Sequence, residues 1–442
     1  MKIMRLALCV VAFAVVGKLA MAEDVDVRTL MAQLADQEAR MNDLQAKLDF
    51  NDANANIAGA PEGILSIRKN AVVTVGGTVN TRYYYHNIRE IDRDGNTEAR
   101  EKIGELIISD AKLEVKVDVN DHFDAYLKAD LISSNSAASD NAQHYWVRWK
   151  NICNSGFGVL VGRADLAFGG LVDYGILGKW TGGDGDGIGR GTQLNEMIMH
   201  NGWDIGRVTQ VTPYWEGLDG KLKVEVMFAQ KVDNANGAFG SYPNARRADN
   251  VYQTADAIST YKSRNYGLGT MSARIGYTPI EGLDLQASIV NYYDKNPMSW
   301  YDPAEVTTDD LRRNNTAIDL AFNWRPCFMP KLAVFGEWVH GWDVNYFKNV
   351  DSDAFNFGLA YDFTDSFTLF AQGDYLRVKN DEGAGSRATG WASYLGAQYN
   401  FGYGVSLETG WRHESGKGRG ADGTINGRIK ADTVSAHLGF DF

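Results

Sequence analysis

Two short stretches hold carboxylates at a spacing that could ligate a cation. They are DRDGN at 92–96 and DGDG at 184–187, each with two aspartates beside a glycine. A calcium site needs six to eight oxygens, and neither stretch carries the ligand set of an EF-hand loop, so both read as polar turns. The seven histidines are scattered, with no pair at zinc spacing. The glycines around Gly185 precede no helical pattern, which argues against a phosphate cradle. No motif supplies a serine nucleophile with its histidine. The expectation is a protein that is not an enzyme and has no cofactor and no metal.

The other chemistry on offer is electrostatic. Charged side chains recur at every second position, opposite apolar ones. In LEVKVDV, Leu113, Val115, Val117 and Val119 alternate with Glu114, Lys116 and Asp118. Arg82 falls opposite Tyr83 and Tyr85, Lys112 opposite Leu113, and Arg148 opposite Val147 and Trp149. The later part of the chain leans acidic at the same kind of position: Asp284, Asp319, Glu337, Asp362, Asp374 and Glu408, with Arg412 among them. Groups held this way can steer and sort ions but do not make or break bonds.

Period-2 alternation is the mark of strands with one apolar and one polar face. It recurs from Val72 to the end, as in KLKVEVMF, FNFGLAYDF and VSLETGWR, and no helical period of useful length interrupts it. The last stretch, DTVSAHLGFDF, sets Val434, Ala436, Leu438, Phe440 and Phe442 on one parity. Connections sort into two sets. Short ones are Asn120–His122, Cys153–Gly156, Gly217–Gly220, Pro279–Gly282, Pro326–Pro330, Thr364–Ser366 and Gly402–Gly404. Longer polar ones fall at 88–102, 170–204, 234–266, 296–313 and 416–429. Pairing each short turn with a long loop gives about sixteen strands, with both ends of the series on the short-turn side. A soluble all-β fold is the competing reading. A closed transmembrane antiparallel β-barrel explains both the apolar face on nearly every strand and the sorting of the loops. Aromatic residues make up 12% of the chain, glycines number 47 and prolines only 8, which suits many strands and tight turns.

The N-terminal part differs. Residues 1–22 have a basic start, an apolar run from Leu6 to Val16 and a small-x-small site at Ala20–Ala22, the layout of a cleaved secretory signal. Residues 23–50 fit a heptad, with Val27, Leu34, Met41 and Leu48 at one core position and Leu30, Gln37 and Leu44 at the other. So short a coiled coil needs partner helices. The alternative is one amphipathic helix lying on a globular body. Residues 51–70 form an Asn/Ala/Gly-rich linker, and the barrel is expected at 71–442. The chain carries a net charge of −12, more acidic still once Lys2, Arg5 and Lys18 leave with the signal, which argues against a nucleic-acid partner. Cys153 and Cys327 fall on short turns far apart around such a barrel, beyond the roughly 7 Å Cα reach of a disulfide.

Two features resemble a known family, the bacterial outer-membrane porins of the sixteen-stranded trimeric type. One is the terminal strand with Phe440 and Phe442, similar to the signal read by the barrel-assembly machinery. The other is FGVLVGRADLAFGG at 157–170, similar to the porin strand whose Gly-Arg precedes the third external loop. The resemblance implies that loop 170–204 folds into the lumen and constricts it, with Asp173, Asp184 and Asp186 facing a basic wall of Arg82, Lys112, Lys116, Arg148 and Arg163. It implies a homotrimer in the outer membrane, contacting lipid and lipopolysaccharide, with its stalk in the periplasm reaching toward the cell wall. The implied activity is passive diffusion of ions and small hydrophilic solutes. The alternatives are an anion- or sugar-specific channel and a structural protein that tethers the envelope.

Overall fold

The computed structural model describes residues 71–91, 97–131, 142–169, 207–230, 268–293, 308–343, 347–380, 387–419 and 425–442. The expected signal, stalk and linker lie outside these residues. Sixteen strands close on themselves. In chain order they begin with β1 (Val72–Ile91), β2 (Thr97–Asn120), β3 (Phe123–Asp130), β4 (Ala142–Trp149) and β5 (Phe157–Asp165). Next come β6 (Arg207–Gly217), β7 (Leu222–Gln230), β8 (Leu268–Ile280), β9 (Leu283–Tyr293), β10 (Asn314–Trp324) and β11 (Leu332–Trp342). The series ends with β12 (Val350–Thr364), β13 (Phe367–Asn380), β14 (Arg387–Gly402), β15 (Val405–Arg419) and β16 (Ile425–Asp441). Each strand neighbours the next in sequence, and β1 pairs antiparallel with β16 over fourteen residue pairs, from Thr78↔Asp441 to Ile91↔Arg428. Closure leaves no unpaired sheet edge.

Alternation decides which face looks where. On β12, Phe355, Phe357, Leu359, Tyr361 and Phe363 are exposed on the exterior, while Asn356, Gly358 and Ala360 are buried toward the lumen. The same split holds on β9, where Leu285 and Ile289 are exposed and Gln286 and Ser288 buried. Buried side chains include many polar and charged groups, the reverse of a soluble core.

The short turns fall where the sequence places them. Cys153 and Cys327 lie in the connections between β4 and β5 and between β10 and β11, and both are free and exposed. In the β14–β15 turn, Tyr403 and Gly404 both take positive φ, of 53° and 78°. A Cβ at Gly404 would run into the backbone carbonyl of Asp441, and Gly404 O accepts the Asp441 N–H at 2.8 Å. The turn is thereby tied to the end of β16, a close approach that only glycine allows.

Two of the expected long loops are mostly strand. β1 runs through Ile91 and β2 starts at Thr97, inside the stretch read as loop 88–102. β15 reaches Arg419 and β16 starts at Ile425, inside 416–429. These segments read as loop because their exterior face turns from apolar to charged. The backbone pairing continues regardless, with Arg89 opposite Lys430 and Lys417 opposite Arg428.

Candidate functional site: the charged lumen

The lumen wall falls into two arcs. On β2–β8 nearly every cation has a carboxylate beside it. Lys116 Nζ lies 2.9 Å from Asp118 and Lys128 Nζ 3.0 Å from Glu114. Arg148 donates to Asp124 through both Nε and Nη2, at 3.0 and 2.6 Å, and Lys150 approaches the same carboxylate at 3.4 Å. Arg274 Nε donates to Glu225 at 2.7 Å, with Lys223 2.9 Å from the other carboxylate oxygen. Such paired, charge-assisted bonds fix side-chain direction as well as charge. The Arg148 guanidinium also lies 5.2 Å from the ring of Trp146, which stacks on Tyr126 at 5.5 Å.

On β10–β15 acids predominate. Asp319, Glu337, Asp374, Glu408 and Glu414 are all buried on the lumen side. Glu337, Asn356 and Asp374 stand in one row across β11–β13, and Ala392 and Glu414 continue it across β14 and β15. Arg412, 2% exposed, donates from Nε to Glu414 Oε1 at 2.6 Å, and its Nη2 lies 3.6 Å from Asp374 Oδ2. Asn356 and Gln372 both donate to Asp374 Oδ1. The Tyr394 hydroxyl bonds Glu408 at 3.2 Å, and its ring lies over Gly410, where a Cβ would collide with it.

Between the arcs the chain crosses the interior. After β5, Leu166, Ala167 and Phe168 are 3%, 3% and 1% exposed. The Gly169 N–H donates to Ser288 Oγ at 3.0 Å, and Gln286 Nε2 donates to Gly169 O. Ser288 in turn donates to Asp319 at 3.1 Å. β5 and β9 stand four strands apart around the barrel, and Gln286 and Ser288 face inward. Gly169 therefore sits inside the barrel, held against the β9 wall a quarter of the way round.

The sequence-predicted residues are placed as follows. Lys112, Lys116 and Arg148 belong to the lumen set, and each lies within the β2–β4 arc. Arg82 pairs in register with His437 of β16. Arg163 follows Gly162, whose φ is 139°, stands in register with Tyr145 and Thr209, and has a buried Nε. Asp173, Asp184 and Asp186, and the stalk residues Val27, Leu30, Leu34, Gln37, Met41, Leu44 and Leu48, lie outside the described residues. Phe440 pairs with Val79 and Val405, and Phe442 follows the end of β16, 48% exposed. The partner acids Asp124 and Glu225 were not singled out from sequence. The available signal was the i, i+2 repeat of opposite charge on one face, as in Glu114-x-Lys116-x-Asp118 and Arg412-x-Glu414.

The closed sixteen-stranded barrel has clear structural counterparts. The outer membrane channel DcaP of Acinetobacter baumannii is 12% identical, with 85% of this chain and 98% of that one covered and a TM-score of 0.51. The fold is that of the outer-membrane porins. OmpT, an outer membrane protein of Vibrio cholerae, is also 12% identical, with 87% and 100% covered and a TM-score of 0.52. OmpF of Salmonella typhi, solved in complex with daunomycin, is 11% identical, with 85% and 99% covered and a TM-score of 0.50. No protein-family model matches the sequence, and no curated protein matches it. At such identities the likeness to porins is one of fold, and what this porin-fold chain does rests on its own residues.

Proposed function

We propose that the protein is a passive diffusion channel for ions and small hydrophilic solutes, a homotrimer of outer-membrane barrels and not an enzyme. One observation carries this reading: Leu166–Gly169 crosses the lumen to the β9 wall, so the segment that follows it starts inside the barrel. That segment, 170–204, folds inward and constricts the pore, bringing Asp173, Asp184 and Asp186 to its narrowest part. The exterior apolar face sits in lipid, and the long-loop end faces outward from the cell. The heptad at 23–50 forms a periplasmic three-helix stalk, which needs partner helices to be stable. Phe440 and Phe442 end the strand that the assembly machinery recognises.

The reading includes a sign of selectivity. The cations Lys116, Lys128, Arg148 and Arg274 are each neutralised by an acid of their own wall. Among the described residues of the β10–β15 arc, five buried lumen carboxylates accompany Arg412. The lumen therefore favours cations, and among the described residues there is no ladder of unopposed arginines such as an anion-specific pore requires. The test is single-channel recording in planar bilayers under a salt gradient. Ohmic conductance with a cation-selective reversal potential is expected. Deleting 172–202 should raise conductance, roughly twofold or more if the segment sets the narrowest radius. Unchanged conductance in the deletion would remove loop 170–204 as the constriction, and no conductance at all would remove the channel.

A further inference from the structure

On the lumen face of β2, β3 and β4 the register sets nine positions in three rows. The first row is Glu114–Lys128–His144, the second Lys116–Tyr126–Trp146 and the third Asp118–Asp124–Arg148. Two rings thus stand between two rows of polar groups, with about 6.7 Å from each row to the next. Tyr126 stacks on Trp146 at 5.5 Å with 30° between the planes, and the Arg148 guanidinium lies 5.2 Å from the Trp146 ring. Rings elsewhere on the lumen wall are covered: Tyr214, Tyr292, Phe335, Phe370 and Tyr394 are all exposed by 6% or less. Among the described lumen rings, Tyr126 and Trp146 alone are only half-buried. The ion pairs around them are open as well. The side chains of Glu114 and Asp118 each keep 33% exposure, and that of Arg148 29%.

The nine positions hold three acids, Glu114, Asp118 and Asp124, and three cations, Lys116, Lys128 and Arg148, so their charges cancel. Such a patch offers little to a free ion of either sign. What it keeps is unused hydrogen-bonding capacity. A carboxylate has about four lone-pair sites and a guanidinium several N–H donors, and one ion pair occupies only part of each set. A hydroxyl can donate to a carboxylate and accept from the cation beside it, so an acid next to a cation matches a hydroxyl group. The rings add an apolar strip for C–H groups. We infer that this patch is a weak docking subsite for neutral hydroxylated rings, that is, saccharides of one or two rings passing through the pore. The C–H surface of the sugar lies on Tyr126 and Trp146. Its hydroxyls reach Lys128 and Glu114 on one side, and Asp118, Asp124 and Arg148 on the other. The β10–β15 arc offers no equivalent, because its described lumen rings are covered and its charge leans acidic. The subsite takes up three strands of sixteen, so it holds such solutes without excluding others. The inference rests on the channel reading above and names a solute class for it.

The test uses the full chain in planar bilayers with maltose as probe. A poly(ethylene glycol) of matched size is the control, since it has no vicinal hydroxyls and reports excluded volume alone. Maltose should lower single-channel conductance saturably, with half-saturation in the millimolar range. The polymer should lower it only as it lowers the conductivity of the bulk solution. Trp146→Ala should raise the maltose half-saturation about tenfold, the size of one aromatic stacking contact. Trp146→Phe keeps a ring and should recover most of that loss. Tyr126→Leu tests the second ring independently and should lose a similar amount, with heat-modifiable mobility showing that each variant has folded. Saturation-transfer NMR of maltose with the chain in detergent reads binding without any need for conductance, and its signal should fall in the same order. A maltose effect no different from that of the polymer overturns the inference and leaves the channel reading in place. A half-saturation unchanged in both Trp146→Ala and Tyr126→Leu overturns it too. Binding seen by NMR in a chain that does not conduct would instead count against the channel reading and leave the subsite standing.

Discussion

Asp124 is the most consequential single carboxylate in the cationic arc. It receives two bonds from Arg148 and lies 3.4 Å from Lys150, so a single carboxylate serves two cations. Asp124→Asn should leave Arg148 without its carboxylate, while Lys150 keeps Asp118 at 3.8 Å, and should move the reversal potential toward anions. A reversal potential equal to wild type would mean that ions pass too far from β3 to sense it. Arg412 poses the opposite case. It is enclosed with Glu414 at 0% and Asp374 at 4% exposure. Arg412→Met would strand two carboxylates against each other with no cation between them. Removing one partner of a buried ion pair costs about 3–5 kcal/mol. The barrel should therefore lose its heat-resistant mobility at a clearly lower temperature, and the double change with Glu414→Gln should recover part of the loss. Equal melting of Arg412→Met and wild type would show that water already solvates this cluster. The residue scale was partly legible. Parity alone placed Lys112, Lys116 and Arg148 inside. It also placed the later acids, because a period of two leaves only two choices. At Arg163 parity gives no such reading, because Gly162 beside it takes a φ of 139° and interrupts the alternation.

At the scale of elements, turns were more legible than loops. Glycine, proline and asparagine mark tight turns for steric reasons that act within four residues. All seven short connections are therefore found where those residues cluster. Strand ends near the long connections were misplaced because the rule that finds a strand is contrast between faces. Once the exterior face becomes charged, at Arg89, Lys417, Arg428 and Lys430, the contrast vanishes although the hydrogen bonding does not. The turn positions carry their own prediction. Cys153 and Cys327 should alkylate fully in the folded barrel, and mass spectrometry should find no intrachain disulfide. A bridge between them would be incompatible with their separation by six strands. The last element carries another. Phe440 is paired on both sides by Val79 and Val405, whereas Phe442 lies beyond the strand. Deleting Phe442 should thus spare the folded barrel's pairing and act on delivery. Outer-membrane levels should fall while protein refolded in detergent keeps its heat-modifiable mobility. Normal levels in cells would show that the terminal side chain is not read.

For the whole molecule, the sorting of connection lengths was the strongest clue, because it reflects the two sides of a boundary and not any one residue. The stalk is testable at this scale. Leu34→Asp places a charge in the heptad core and should dissociate the helices of 23–50, as seen by loss of cross-linking through cysteines introduced there. Barrel insertion and conductance should persist. Loss of insertion would mean that the segment packs as a single helix and not as a stalk.

The seam between β1 and β16 has a cost in time. Thr78 bonds Asp441 across 363 residues of chain, and thirteen further pairs depend on the same closure. No part of that seam can form until the final residues have been made and delivered. Until then the first strand offers an unpaired edge, with exposed valines at 72, 73 and 75 near its start. Contacts of such sequence separation form slowly, and open edges with apolar faces invite pairing with the wrong chain. A newly made copy is thus hazardous to its neighbours until it is complete. It must travel escorted, and the rate at which it becomes harmless is set by how fast its two ends find each other.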